Sequence, residues 1–236
     1  MDMRALKTLY KAQKEISWLI VDEVTDTNGL TYKPDEYREL HDISVKSVED
    51  LTEVEKALYD EIVGGVEEER ELSYKHDYGT IKVRVRLVPY RENINGYVIE
   101  VVNKRPFRKA EKKQEQERAI ATLMPIAQSV AEDLKAKKEA HEKFLSTIKK
   151  IRESVFIATR KLGMTLDEFV KVVELYIAYN EANDKVEFLK THGFKGIENF
   201  GINRREDDGF GYQNVTYSDI DFVKRTIEIK HGNSSD

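Results

Sequence analysis

Three cationic side chains alternate along the segment 79–103 at the spacing of a β-strand. Lys82, Arg84 and Arg86 fall on one face, about 6.6 Å apart, because each strand residue adds roughly 3.3 Å. Apolar residues alternate with these cations and predict the opposite, packed face of the strand: Ile81, Val83, Val85 and Leu87. An Asn-Gly pair at 95–96 and a second alternating segment complete the signature of a β-hairpin.

A basic run follows this hairpin and could add to its positive charge. Its members are Lys104, Arg105, Arg108, Lys109, Lys112 and Lys113. A row of cations is enough to bind DNA phosphates without sequence preference, since each neutralised phosphate releases counterions. Together with the three strand cations, the run is predicted to be a non-specific DNA-binding region. The alternative is a solvated helix face that Glu111, Glu115 and Glu117 balance.

The opposite charge is concentrated upstream. The segment 35–71 holds fourteen acidic and four basic residues, whereas 81–161 holds twenty basic and ten acidic ones. Carboxylates spaced along a rod can imitate a phosphate backbone, so this block is interpreted as a DNA-mimic surface for a partner protein. The predicted partner-binding residues are Glu49, Asp50, Glu53, Asp60, Glu61, Glu67, Glu68, Glu69 and Glu71. The alternative is a solvated acidic face, or neutralisation of one block by the other within the fold.

Residues suited to catalysis are sparse. The five histidines are scattered without metal-ligand spacing, and the chain has no cysteine, so no metal, no cofactor and no catalytic residue is predicted. The best enzyme candidate is a metal-dependent nuclease using Glu100, Lys104 and Asp77. Three residues separate its acid from its lysine, whereas restriction-like nucleases have one residue between them, and this difference argues against that activity. The protein is therefore predicted not to be an enzyme.

The longest element expected to position these groups is a helix with a heptad pattern over 120–162. Apolar residues recur at its a and d positions, and Lys137 and His141 interrupt them. Such a seam predicts a coiled-coil homodimer, with an intramolecular helical bundle as the alternative. The predicted oligomer seam consists of Ile120, Leu123, Val130, Leu134, Phe144, Ile148, Ile151 and Val155. Pro125 is expected to start or kink the helix.

The remaining elements are predicted as helices and loops. Apolar periodicity predicts helices over 3–23 and 51–63, the second after a capping signal at 47–50. Thr165 and Glu168 form a capping box ahead of a third helix, and a short helix follows over 184–191. The segment 195–211 is interpreted as a loop. Ser218 is predicted to cap a last helix containing Ile220, Phe222, Val223, Ile227 and Ile229.

These elements predict a mainly α protein with one β-hairpin, in the α+β class. Five regions are expected: a helical, acidic N-terminal region (1–76); the basic hairpin and basic helix start (77–118); the heptad helix (119–163); a small helical region (164–232); and a disordered tail (233–236). No stretch resembles a signal peptide or a membrane span, so a soluble, cytoplasmic protein is expected.

The whole chain resembles the early host-takeover proteins of large lytic phages of Gram-positive bacteria. The resemblance rests on size, segregated charge, absence of cysteine, and richness in Lys, Glu and Tyr. It has no diagnostic motif, so it assigns no residue. It implies a non-enzymatic protein in the host cytoplasm that binds DNA, binds the bacterial RNA polymerase and inhibits transcription. The alternative function is a structural or assembly coiled-coil protein of a phage or a bacterium.

Overall fold

The computed structural model describes residues 1–13, 43–76, 79–102, 110–160, 162–207 and 212–235. Within these ranges the helices are α1 (Met3–Lys11), α2 (Glu53–Ile62), α3 (Ala110–Arg160), α4 (Leu166–Glu181) and α5 (Lys185–Thr191). The strands are β1 (Glu69–His76), β2 (Gly79–Leu87), β3 (Tyr97–Val101), β4 (Asn203–Asp207), β5 (Tyr212–Asp221) and β6 (Thr226–Ser235). They form two antiparallel sheets, β1-β2-β3 and β4-β5-β6. The α+β class and the long helix are confirmed, whereas the prediction of a single β-hairpin is wrong, because the described residues form two three-stranded sheets.

The chain divides into two compact units that do not follow sequence order. Unit A comprises 1–45 and 147–236, and unit B comprises 46–146. The division falls inside α3, so this helix contributes its first part to unit B and its last part to unit A. No helix in the described part of the chain is long and apolar enough to cross a membrane.

Unit B is built around the first sheet and α3. Ile81, Val83 and Val85 of β2 are buried against a stripe of α3. That stripe consists of Ala119, Leu123, Ala127, Ala131 and Leu134, mostly four residues apart. Small alanines at this spacing let a helix lie close to a flat sheet. The antiparallel pairing of β2 with β3 confirms the predicted hairpin, and the burial of Ile81, Val83 and Val85 confirms its packed face.

The heptad residues are already covered within the single chain. Leu134, Phe144 and Ile148 are fully buried, and Leu123 and Ile151 nearly so. The other three seam residues, Ile120, Val130 and Val155, are partly buried. Neither a helical bundle nor a second chain is needed to bury the first half of the seam, because a β-sheet covers it.

α3 continues through its proline. Pro125 lies inside the helix and is exposed, and the helix is unbroken from Ala110 to Arg160. The expected start of the helix at this position is therefore wrong, and the alternative expectation of a kink stays a prediction. Proline removes one backbone donor, and at an exposed position the carbonyl that loses its partner can bond to water instead.

The N-terminal helix packs in unit A. Asp2 caps α1 by accepting the Ala5 N–H at 2.8 Å, and Leu6 and Leu9 are fully buried. Ion pairs join α1 to α4, with Arg4 3.2 Å from Glu174 and a second pair at Lys11. The described helix ends at Lys11, and the rest of the predicted helix over 3–23 lies largely outside the described residues.

Three segments differ from their predicted structure. Residues 69–71 of the acidic run 67–71, which lies in the region predicted to be helical (1–76), belong to strand β1. The predicted loop 195–211 contains β4, and the predicted last helix at 218–229 is wrong, because β5 and β6 occupy it. Its isoleucines at 227 and 229 alternate with polar residues, which is the period of a strand rather than of a helix. β6 also includes residues 233–235 of the predicted disordered tail.

The helix caps agree with the sequence. Thr165 and Glu168 form the predicted capping box of α4, and Asp184 caps α5 by accepting the Glu187 N–H at 2.9 Å. The signal at 47–50 caps a short 3-10 turn, and a separate capping box between Thr52 and Glu55 starts α2.

Candidate binding surfaces

The outer face of the first sheet carries the predicted strand cations, but they have acidic neighbours. Antiparallel pairing places Glu71 opposite Arg84 and Glu69 opposite Arg86. Lys82 Nζ lies 2.5 Å from Glu71 Oε1, and Arg84 Nε lies 3.9 Å from Glu69 Oε1. Part of the acidic block and part of the basic block therefore neutralise each other across β1 and β2.

The third cation has a different environment. Arg86 is exposed, and no carboxylate of the described residues lies within ion-pair distance of it. Lys113, at the start of α3, is also exposed, with Nζ 4.0 Å from Glu117 Oε1. The predicted DNA contacts Lys104, Arg105, Arg108 and Lys109 lie outside the described residues, and Lys112 lies in the first turn of α3.

A further ion-pair cluster lies between β1, an edge strand of the same sheet, and α3. Arg70 donates to Glu67 Oε2 from two nitrogens, at 2.6 and 2.9 Å, and lies 3.7 Å from Asp133 of α3. The hydrogen bond from Arg70 lowers the pKa of the Glu67 carboxyl below its usual range. Arg70 thus links β1 to α3, and Glu67 helps to orient Arg70, which is a structural role in addition to the predicted binding role of Glu67.

We expect Lys82→Met to raise the pKa of the Glu71 carboxyl towards its ordinary value. The hydrogen bond from Lys82 is the main reason that this pKa is lowered, and Arg84 contributes less. A lowered pKa means that the ion pair stabilises the fold above the ordinary carboxyl pKa. This contribution is lost as the pH falls through the folded-state pKa. Carbon-detected NMR titration of Glu71 measures the change.

Glu168 in unit A serves as the reference in the same spectra, because hydrogen bonds from Thr165, and none from Lys82, lower the pKa of its carboxyl. This pKa should be the same in the wild-type protein and in Lys82→Met. An unchanged Glu71 pKa in the variant would show that the cross-strand pair does not form in solution.

The acidic surface is centred on α2. Leu58 and Tyr59 are buried, and the Tyr59 hydroxyl lies 2.9 Å from Nδ1 of His141 on α3. The Tyr59 ring also meets the Phe144 ring edge-on, with centroids 5.3 Å apart. Burial raises the pKa of the Tyr59 hydroxyl. Because these contacts fix one side of α2 on α3, the opposite side of α2 is turned to solvent.

All nine carboxylates of the predicted acidic site are exposed. They nevertheless differ in their contacts, since Asp50 accepts the Lys46 and Ser47 N–H groups and caps the 3-10 turn. Asp60 and Glu68, in contrast, have no cationic partner among the described residues. We call Glu49, Asp50, Glu53, Asp60, Glu61 and Glu68 the α2 acidic surface.

The nuclease candidate gains no partner residues from the structure. Glu100 lies on β3, opposite Arg84 of β2, while Asp77 and Lys104 are outside the described residues. Among the residues with described positions, no group of three or more histidines and carboxylates could hold a metal ion.

The sequence did not indicate a cavity that the structure contains in unit A. It has a volume of about 400 Å³ and lies between the start of α4 and the turn joining β5 to β6. Two of its lining residues are cationic, Lys171 and Arg225. No local sequence signal identifies the cavity, because its lining residues come from two segments that are distant in the sequence. The segment around Arg225 is, moreover, predicted as helix.

Comparison of the chain with family models, with curated proteins and with solved structures finds no match.

Proposed function

We propose that this protein is a non-enzymatic regulator that binds a nucleic-acid-handling machine through the α2 acidic surface. The observation that carries the proposal is the orientation of α2. Tyr59 and Leu58 are buried while Glu53, Asp60 and Glu61 of the same helix are exposed. An exposed row of carboxylates is complementary to the basic channel in which such a machine holds DNA.

Bacterial RNA polymerase is the proposed partner, and inhibition of transcription is the proposed effect. Both follow from the likeness to phage host-takeover proteins in charge segregation and composition. Non-specific DNA contact is part of the same proposal, with Arg86, Lys113 and the run 104–109 as the cations concerned. Pairing of Lys82 and Arg84 with carboxylates makes these two weaker candidates for phosphate binding.

The alternative of an assembly protein with a coiled-coil seam has less support. It depends on apolar residues being free to meet a second chain, and Phe144, Ile148 and Ile151 are buried within one chain. A homodimer stays a prediction, and light scattering of the wild-type protein tests it.

We expect Asp60→Lys combined with Glu68→Lys to weaken binding to RNA polymerase by about tenfold or more. Like charges that face each other across an interface weaken binding. Each 1.4 kcal/mol of lost binding free energy lowers the affinity by a factor of ten. These two positions are chosen because neither carboxylate caps a helix or pairs with a cation of the described residues. Reversal of the run 67–71 would instead disrupt β1 and its ion pairs. Biolayer interferometry with immobilised polymerase holoenzyme gives the affinity.

Glu132→Lys combined with Glu142→Lys is the matched control, because both carboxylates are exposed on α3 and the charge change is the same. The control should retain wild-type affinity. Equal weakening by both pairs would indicate only a net-charge effect and would contradict the assignment to α2. Fluorescence anisotropy with duplex DNA completes the test, with an expected log–log salt slope of about −4 or steeper. Absence of DNA binding at low salt would remove the DNA contact from the proposal.

A further inference from the structure

The cavity in unit A combines an apolar wall with two cations. Leu162 and Met164 line it from the connection between α3 and α4, and Leu175 lines it from α4. Phe222 and Val223 contribute from the β5–β6 turn. Its volume of about 400 Å³ falls within the usual range of small-molecule sites.

The apolar wall is held by an aromatic cluster. Phe222 is 5 % exposed, and its ring meets Tyr176, Tyr179 and Phe194 edge-on, with centroids 5.0 to 5.4 Å apart. Leu189 and Ile227 belong to the same buried cluster. A wall fixed in this way is formed before any ligand arrives, so binding costs little ordering of the protein.

Neither cation lies within ion-pair distance of a carboxylate among the described residues, although the charge of Glu168 acts on Lys171. Lys171 lies on the exposed side of α4, and Arg225 donates from NH1 to the His192 carbonyl at 3.2 Å. Glu168 also lines the cavity, but its Oε2 accepts both the N–H and the hydroxyl of Thr165, at 2.7 and 2.8 Å. The capping box fixes this carboxylate on Thr165, and its charge also acts on Lys171, so Arg225 is the cation of the cavity that Glu168 affects least.

The backbone of Arg225 is a second, independent indication. Arg225 has φ of 55°, and it is the one described non-glycine residue with a positive φ. Glycine or asparagine adopts this conformation at lower cost, so an arginine here places a long cationic side chain at the expense of backbone strain. Strain of this kind is concentrated at functional sites.

We propose that the cavity binds a small amphipathic anion, that is, an apolar molecule carrying one carboxylate or phosphate group. The apolar body packs against Leu175, Phe222 and Val223. The anionic group is bound by Lys171 and by the guanidinium of Arg225, whose planar fork suits carboxylate and phosphate alike. The site lies in unit A, and it is independent of the α2 acidic surface in unit B.

Isothermal titration calorimetry of the full chain with three ten-carbon probes tests the proposal. The probes are decanoate, decyl phosphate and decanol, each below the concentration at which it self-associates. Decanoate or decyl phosphate is expected to bind at least about tenfold more tightly than decanol, from one charge-assisted contact. The tighter of the two anions identifies the preferred head group. Equal affinity for decanol, or no binding of either anion, would overturn the proposal.

Variants then locate the site. Arg225→Gly removes the guanidinium and relieves the positive φ, so it should fold normally and lose about tenfold in affinity for the anion while decanol is unaffected. Lys171→Met should act in the same direction. Lys190→Met, an exposed cation of α5 that does not line the cavity, is the matched control and should bind as wild type. Unchanged anion binding in both Arg225→Gly and Lys171→Met would place the anion elsewhere and contradict the assignment.

Discussion

Ile148→Asp is expected to unfold the C-terminal part of α3 and the unit A core around it. Ile148 is fully buried within the single chain, and an unpaired carboxylate in such a position costs several kcal/mol. We expect a loss of stability above about 4 kcal/mol, at the upper end of single substitutions. Urea titration followed by far-UV circular dichroism measures this loss.

Light scattering on the same samples separates the two explanations of the heptad pattern. If the seam joined two chains, the variant would halve the molecular mass while unit A stayed folded. If Ile148 is instead buried inside one chain, the variant should lose helix content, and no folded monomer should replace a dimer. Ser146→Asp adds the same charge to an exposed position of α3 and should change neither helix content nor stability appreciably.

Gly196→Ala is expected to have the second largest effect. Gly196 has φ of 77°, and a Cβ on it would lie 2.3 Å from the carbonyl oxygen of Ile227. That backbone cannot retreat easily, because the Ile227 N–H donates to the Lys195 carbonyl and the Ile227 carbonyl accepts from Asn199. Left-handed strain plus this clash should cost about 4 kcal/mol or more in the free energy of unfolding.

Gly193→Ala isolates the strain from the clash. Gly193 has nearly the same φ, 75°, and a Cβ there would meet nothing within 4 Å. Its cost should be only about 1–2 kcal/mol, the price of a left-handed alanine. Equal costs at the two glycines, measured by chemical denaturation, would show that the close approach of the 195–199 segment to β6 is absent in solution.

Local features of this chain were readable from the sequence. The capping box of Thr165 and Glu168, the short helix over 184–191 and the two-residue period of β2 all depend on residues within a few positions of one another. The positions of Lys82, Arg84 and Arg86 on one strand face follow from the same local period. The existence of a long helix could also be predicted from the sequence, because its heptad pattern of apolar residues persists over many turns.

The tertiary structure decided what these elements meet. Glu71 and Lys82 form an ion pair although they are eleven positions apart in the sequence, and no period in the sequence relates the two. The apolar side of α3 is compatible with a second helix or with a sheet, and only the position of Ile81, Val83 and Val85 selects the sheet. Ile227 and Ile229 alternate with polar residues as in a strand, but this run is too short to exclude a helix, and the pairing with β5 decides for the strand.

The same distinction applies to the candidate sites. The sequence by itself determined which residues carry charge and which helix face they share, because side-chain identity and helix period are local properties. The structure decided which charges remain available, because pairing depends on strands that meet in space. It leaves Asp60 and Glu68 without cationic partners in the described chain, whereas Glu71 is paired with Lys82. The cavity in unit A could be found only from the tertiary structure, since its walls come from α4 and from the turn between β5 and β6.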